Sequence, residues 1–234
     1  VMEQIKRIII IPAYNEEDNI GAVLDEIHTF LTDFDVIVIN DGSTDRTGLV
    51  AEERGVTVLN LPYNLGIGAA VQTGYRYALE NGYDIAIQFD GDGQHRADQI
   101  PVLVKPLIQG KADLVVGSRF LSEEGYRTTL PRMVGIGILS SVISLLTGLK
   151  VTDPTSGFRA ANRAVIEFFS RLYPDDYPEP ESIVLLRKGG VRILEVPVSM
   201  RERLGGVSSI TPLRAIYYMI KVLLAIMIDM LKKV

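Results

Sequence analysis

The chain has 234 residues, 47% of them hydrophobic, and a formal net charge of −5 at pH 7. That suits one α/β domain with a substantial core plus a small appendage, and the acidic balance argues against a nucleic-acid partner. With no cysteines and two histidines, His28 and His95, disulfides, thiolate nucleophiles, Cys-ligated zinc and a His-rich metal centre are excluded. A divalent metal would have to be held by oxygen, which points to Mg²⁺ or Mn²⁺. Mean hydropathy is +0.20, high for a soluble enzyme. The opening VMEQIKR carries no apolar run, so no signal peptide is expected and the protein should stay on the cytosolic side.

In chain order, residues 7–11 (RIIII) read as a buried strand, and 16–31 carry Ile20, Val23, Leu24, Ile27 and Leu31 at helical spacing. Strands follow at 35–40 (DVIVIN), 56–61, 83–89 and 113–116, with a helix over 68–81. Such alternation, with near-continuous β-branched runs, predicts a parallel sheet covered by helices. Right-handed crossovers put the strand C-termini on one edge, where ligands bind. Polar clusters fall at that edge: Pro12-Ala13-Tyr14-Asn15-Glu16, Asn40-Asp41-Gly42-Ser43, Asp90-Gly91-Asp92-Gly93-Gln94 and Gly117-Ser118-Arg119.

The second half reads as an apolar helix over 133–149, a polar glycine-containing segment over 153–161, a helix over 179–188 and a strand over 191–200. The domain is expected to span 1–210, with an appendage over 211–234. There Arg214, Lys221, Asp229 and Lys232 form a thin polar stripe on an otherwise apolar helix, a pattern suited to a membrane interface. A span needs about 20 apolar residues, and Lys221 interrupts this one. Packing on the core, on a second copy of the chain or on a small membrane protein would produce the same pattern.

The acidic pair Asp90 and Asp92, two residues apart just past a strand, can converge on one hard cation, with Gly91 and Gly93 letting a ligand approach the backbone. Gln94 stands where a calcium loop needs Asp or Asn, and no glycine follows it, so calcium is not expected. Asp41, ending the second strand, suits a ribose or base contact, while Ser43, Thr44 and Asp45 suit a helix cap. Asn64-Leu65-Gly66-Ile67-Gly68 lacks the lysine of a P-loop and the third glycine of a dinucleotide fingerprint, which excludes ATPase and dehydrogenase readings.

The motifs PAYNEE, INDGSTDRT, NLGIGAA, FDGDGQH, GSRF and DPTSGFRA, in this order, resemble the family-2 glycosyltransferases of GT-A fold. Within them the chain is similar to polyprenyl-phosphate glycosyltransferases of the dolichyl-phosphate mannose synthase type, over roughly residues 5–210. The resemblance implies that Pro12, Ala13, Tyr14, Glu16, Ile39 and Asp41 cradle the nucleoside. It also implies that Asp90, Asp92 and Gln94, with Gly91, bind metal and diphosphate. Arg119 and Arg132 would contact phosphate, Arg201 or Arg203 would close over the diphosphate, and Asp153, Ser156 and Gly157 would shape the sugar pocket. Ile67 stands where many relatives carry lysine, and Glu179-Pro180-Glu181 where hydroxyl-glycosylating members place a catalytic acid.

The expected activity is inverting transfer of a hexose or N-acetylhexosamine, from UDP-glucose or UDP-GlcNAc on family grounds, to undecaprenyl or a similar polyprenyl phosphate at the cytoplasmic membrane face, for cell-surface glycans. A phosphate acceptor is already anionic and needs positioning, whereas a hydroxyl needs a base. The alternatives are extension of a saccharide chain with Glu181 or Glu179 as base, and a non-catalytic nucleotide-sugar-binding subunit of a membrane complex.

Overall fold

The structure, a computed structural model, describes residues 5–122, 129–175, 177–201 and 212–231. The strands are β1 (Arg7–Ala13), β2 (Asp35–Asn40), β3 (Thr57–Asn60), β4 (Ile85–Gln88), β5 (Leu114–Ser118), β6 (Arg159–Asn162) and β7 (Ile193–Pro197). The helices are α1 (Ile20–Phe30), α2 (Thr47–Glu52), α3 (Ile67–Glu80), α4 (Ile100–Ile108), α5 (Leu130–Thr147), α6 (Arg163–Arg171), α7 (Pro178–Lys188) and α8 (Pro212–Leu231). One seven-stranded sheet runs β3-β2-β1-β4-β6-β5-β7. All neighbours are parallel except β6, which is antiparallel to both β4 and β5.

The sheet is thus mostly parallel, as the resemblance implies, with one reversed strand, β6, inside it. From the end of the polar, glycine-containing segment, Arg159–Asn162 (RAAN) forms a strand between β4 and β5. The short, small-residue run carries no alternation to announce a strand. It is held by register instead, Gln88 opposite Arg159 and Ala86 opposite Ala161.

Two apolar layers sandwich the sheet. Ile9, Ile11, Val38, Ile87 and Val115 meet α1 and α4 on one face. Ile8, Ile10, Ile37, Ile39 and Ala86 meet α3 and α6 on the other. Period-2 alternation within β1 feeds both layers, which is why a strand of consecutive isoleucines stays fixed in register. Gly74 lets α3 lie against β1, because a Cβ there would stand 2.2 Å from Ile10 Cγ2.

A third cluster joins Leu139 and Ile143 of α5, Ile183 and Val184 of α7, and Val222 and Ile226 of α8. The C-terminal helix thus shares a core with α5 and α7. Its other face leaves Ile220, Leu224, Met227 and Ile228 exposed, and α5 likewise exposes Leu130, Met133, Val134, Ile138 and Leu145. Among the described residues, no helix is long and apolar enough to cross a membrane.

Candidate active site

A cleft of about 440 Å³ opens at the C-terminal ends of β1, β2 and β4. It is lined by Pro12, Ala13, Tyr14 and Glu16 from the β1 loop, Asp41 from the β2 end, and Asp90, Gly91 and Asp92 from the β4 end. Asn64, Gly66 and Ile67 come from the start of α3, Thr155 and Gly157 from the segment before β6, and Glu179 from α7.

The β1 and β2 loops are stapled together by their polar side chains. Asn15 sits in the left-handed region at φ 53°, and its amide donates to Ser43 Oγ while its Oδ1 accepts from the Thr44 amide. The Glu16 amide donates to Thr47 Oγ1, the Glu17 amide to Asp45, and the Arg46 amide to the Glu17 carboxylate. Asn15 and Glu17, with Ser43, Thr44 and Asp45, thus build the wall, while Pro12, Ala13, Tyr14 and Glu16 line the cleft. Asp45, one residue before the N-cap Arg46, accepts from the Thr47 amide and hydroxyl and so steadies the start of α2. Asp41 is 4% exposed, and its two carboxylate oxygens accept from the Leu65 and Gly66 amides, at 2.8 and 2.9 Å. It fixes the mouth of α3 and lines the cleft at once.

The acidic pair is held at the cleft floor. Burial, reinforced by the Asp92 charge and further by Glu16, pushes the Asp90 carboxyl up to about 7. Crowded carboxylates of this kind are relieved by a divalent cation, so the residues present fit Mg²⁺ or Mn²⁺, with Asp90 and Asp92 to hold it. No ready-made cage of three or more His, Cys, Asp or Glu exists among the described residues, so a diphosphate would have to complete the shell. Gln94 stands just outside the cleft lining. Its amide donates to Asp92 Oδ1 and its carbonyl accepts from the Arg201 amide.

His95 supports the pair from behind. It is 3% exposed, stacked on Phe158 and edge-on to Phe89. Its Nδ1 accepts the Asp90 amide at 3.2 Å, which puts the proton of the neutral ring on Nε2, 3.3 Å from Asp90 Oδ2. Burial depresses its pKa to about 4, so the ring stays neutral.

The arginines are arranged differently from the expected phosphate clamp. Arg119, 6% exposed, forks onto Asp153 with two 2.6 Å bonds and reaches Thr155 Oγ1 at 2.8 Å. Glu195 of β7 accepts the Thr152 and Asp153 amides. Arg119 and Asp153 thus brace the wall on which Thr155 and Gly157 face the cleft, and Ser156 is buried behind it. Arg132 is exposed on α5, Arg201 pairs with Glu26 of α1, and Arg203 lies outside the described residues. Ile39 points into the core beside α3.

Of the two candidate bases, Glu179 lines the cleft, while Glu181 is 9% exposed and does not. Burial raises the Glu179 pKa against the pull of Arg159. The sequence reading passed over Arg159, which is fully buried and bonded to Ser182 Oγ and to the carbonyls of Ser156 and Glu179. Its place in a run of small residues was the available signal.

The family model for glycosyl transferase family 2 matches residues 8–169, and the chain belongs to that family. It is 33% identical over 210 residues to a UDP-N-acetylglucosamine–dolichyl-phosphate N-acetylglucosaminyltransferase of Methanococcus voltae, covering 81% of this chain and 83% of that one. It is 30% identical to the polyprenol monophosphomannose synthase of Mycolicibacterium smegmatis, covering 88% and 81%. Among solved structures, glucosyl-3-phosphoglycerate synthase of Mycobacterium tuberculosis, crystallised with Mn²⁺, UDP-glucose and phosphoglyceric acid, matches with a TM-score of 0.73 at 23% identity. The match covers 96% of this chain and 79% of that one. The protein is a glycosyltransferase, and its named relatives transfer sugars to polyprenyl phosphates.

Proposed function

We propose that this glycosyltransferase moves a hexose or N-acetylhexosamine from a UDP-sugar, UDP-glucose or UDP-N-acetylglucosamine, to polyprenyl phosphate, with inversion, at the cytoplasmic membrane face. The observation that carries the reading is the meeting of Asp90, Asp92 and Glu16 in one cleft with Pro12, Tyr14 and Asp41. The nucleoside lies against Pro12, Ala13 and Tyr14, and its diphosphate reaches toward the acidic pair. A Mg²⁺ or Mn²⁺ held there supplies positive charge that offsets the charge of the departing nucleotide. His95 keeps Asp90 aimed, and the Arg119–Asp153 brace holds Thr155 and Gly157 as the wall beside the sugar.

The phosphate acceptor is supported by the relatives' substrates. Arg132 supports it too, standing on α5 among the exposed apolar Leu130, Met133 and Val134, where a guanidinium can meet an anionic headgroup at the end of a lipid. Labelled UDP-sugars incubated with the protein, Mg²⁺ or Mn²⁺ and undecaprenyl phosphate should yield a lipid-linked sugar; no such product with any donor removes the reading. Asp92→Ala is expected to abolish turnover.

A hydroxyl acceptor is the second reading, favoured by Glu179 in the cleft with its raised pKa, which suits a general base. In that case Glu179→Gln loses about 10²–10⁴-fold in kcat. With a phosphate acceptor the loss stays near tenfold or below, because no proton has to be removed from the nucleophile.

A further inference from the structure

Glu26 lies in the second half of α1, between the exposed Asp25 and the buried Ile27, where a helix-surface carboxylate would ordinarily face water. Its side chain is only 17% exposed and is held by two partners far away in the chain. Oε1 accepts the Ala97 amide at 3.0 Å and Arg201 Nη2 at 3.0 Å, and Oε2 accepts Arg201 Nη1. Ala97 is fully buried and opens the short 3₁₀ turn Ala97–Gln99. The side chain of Arg96, which precedes it, makes no capping bond, so Glu26 takes that first amide from a different helix.

Arg201 holds the same segment from its other end. Its amide donates to the Gln94 carbonyl at 2.9 Å, and the Gln94 amide donates to Asp92 Oδ1 at 3.1 Å. A ring of contacts therefore closes through Asp92, Gln94, Arg201, Glu26 and Ala97. His95, within that segment, holds Asp90. Gly91 and Gly93 flank Asp92, and Gly93 takes φ 76°, so the turn has a backbone freedom that its own sequence does not remove. A carboxylate on such a turn keeps its aim when the chain beyond it is anchored from outside.

We propose that Glu26 is a positioning residue for the metal and diphosphate site. It grips the turn after the acidic pair through Ala97 and Arg201, and so keeps Asp92 aimed into the cleft. Arg201 then serves from outside, by its ion pair and its main chain, in place of closing over the diphosphate. The inference rests on the metal and UDP-sugar reading above.

The test is a Mn²⁺ titration with UDP present, followed by the electron paramagnetic resonance signal of free Mn²⁺, on the wild type, Glu26→Gln and Glu26→Met. Uridine affinity is measured beside it by NMR, because uridine carries no phosphate and does not call on the acidic pair. Glu26→Met removes both grips and should weaken Mn²⁺ binding by about tenfold or more, with uridine affinity unchanged. Glu26→Gln keeps an acceptor for the Ala97 amide and loses the charge that holds Arg201, so its affinity should fall between the other two. A Glu26→Met protein that binds Mn²⁺ within about threefold of the wild type, or loses uridine affinity to the same extent, overturns the positioning role. So does a rise in Mn²⁺–UDP affinity in Glu26→Gln, which would mark Arg201 as a diphosphate clamp that Glu26 restrains. If Glu26→Met does not fold, Glu26→Gln decides: a fall of about threefold or more supports the role, and an unchanged affinity overturns it. A wild type that binds no Mn²⁺ with UDP present removes the metal reading, and this inference with it.

Discussion

At the residue scale, the site depends on side chains that never touch the cleft. His95 accepts the Asp90 amide and faces its carboxylate, so one neutral ring fixes both the backbone and the side chain of a candidate metal ligand. Such supporting contacts are worth about 10–100-fold in metal affinity or activity. His95→Phe keeps an aromatic ring against Phe158 but removes the acceptor, and is expected to lower kcat by about that factor. Steady-state kinetics over a Mn²⁺ titration checks this, and an unchanged metal dependence would refute the positioning role. Arg119 teaches the complementary lesson. An arginine after a strand at the ligand edge reads as a phosphate contact, yet this one is committed to Asp153, a residue 34 positions away. Both partners are visible in the sequence, but their pairing is not.

At the scale of elements, one carboxylate ties three strands. Asp113, just before β5, accepts from the Arg192 amide and guanidinium before β7, and from the Asn162 side chain at the end of β6. The hydrogen bond from Arg192 leads the effects that hold its pKa down to about 2, below the ordinary carboxylate range. A depressed carboxylate contributes stability fully above its unfolded pKa and loses it as pH falls through the folded one. The contribution is therefore present near neutrality and disappears between about pH 4 and pH 2. Arg192 is 57% exposed on its side chain, so solvent screens the pair and keeps its contribution small. Asp113→Asn should lower the Tm at pH 7 and match the wild type near pH 2; a gap that persists at pH 2 would sink this account. The same region holds β6, whose four residues Arg-Ala-Ala-Asn carry neither alternation nor β-branched bulk to announce a strand.

Across the whole molecule, the apolar excess in the composition resolves into a place. The sheet faces bury part of it, and two neighbouring helices carry an exposed share. Leu224, Met227 and Ile228 of α8 and Leu130, Val134 and Leu145 of α5 stay exposed, while Val222 and Ile226 hold α8 to the core. On the proposed polyprenyl-phosphate reading, such a face suits contact with a membrane interface. Leu224→Glu combined with Met227→Glu should weaken co-sedimentation with anionic liposomes by about tenfold or more, since each buries apolar surface that a carboxylate would not. Both positions are more than half exposed, so the Tm should hardly move. Undiminished liposome binding would remove these helices from the membrane contact.

Local pattern by itself determined the strand–helix alternation, the edge on which the polar motifs gather and the acidic pair after β4, because those follow from periodicity and short-range turn chemistry. The motif set carried the family. Only the tertiary structure decided which members of each motif face the cleft: Tyr14 and Glu16 but not Asn15, Gly157 but not Ser156, Glu179 rather than Glu181. The choice is made by partners distant in the chain, Ser43 and Thr44 for Asn15, Asp153 for Arg119, Tyr173 for Gln88. Whether a polar side chain is spent on the fold or left for a ligand depends on what packs beside it, and no local pattern records that.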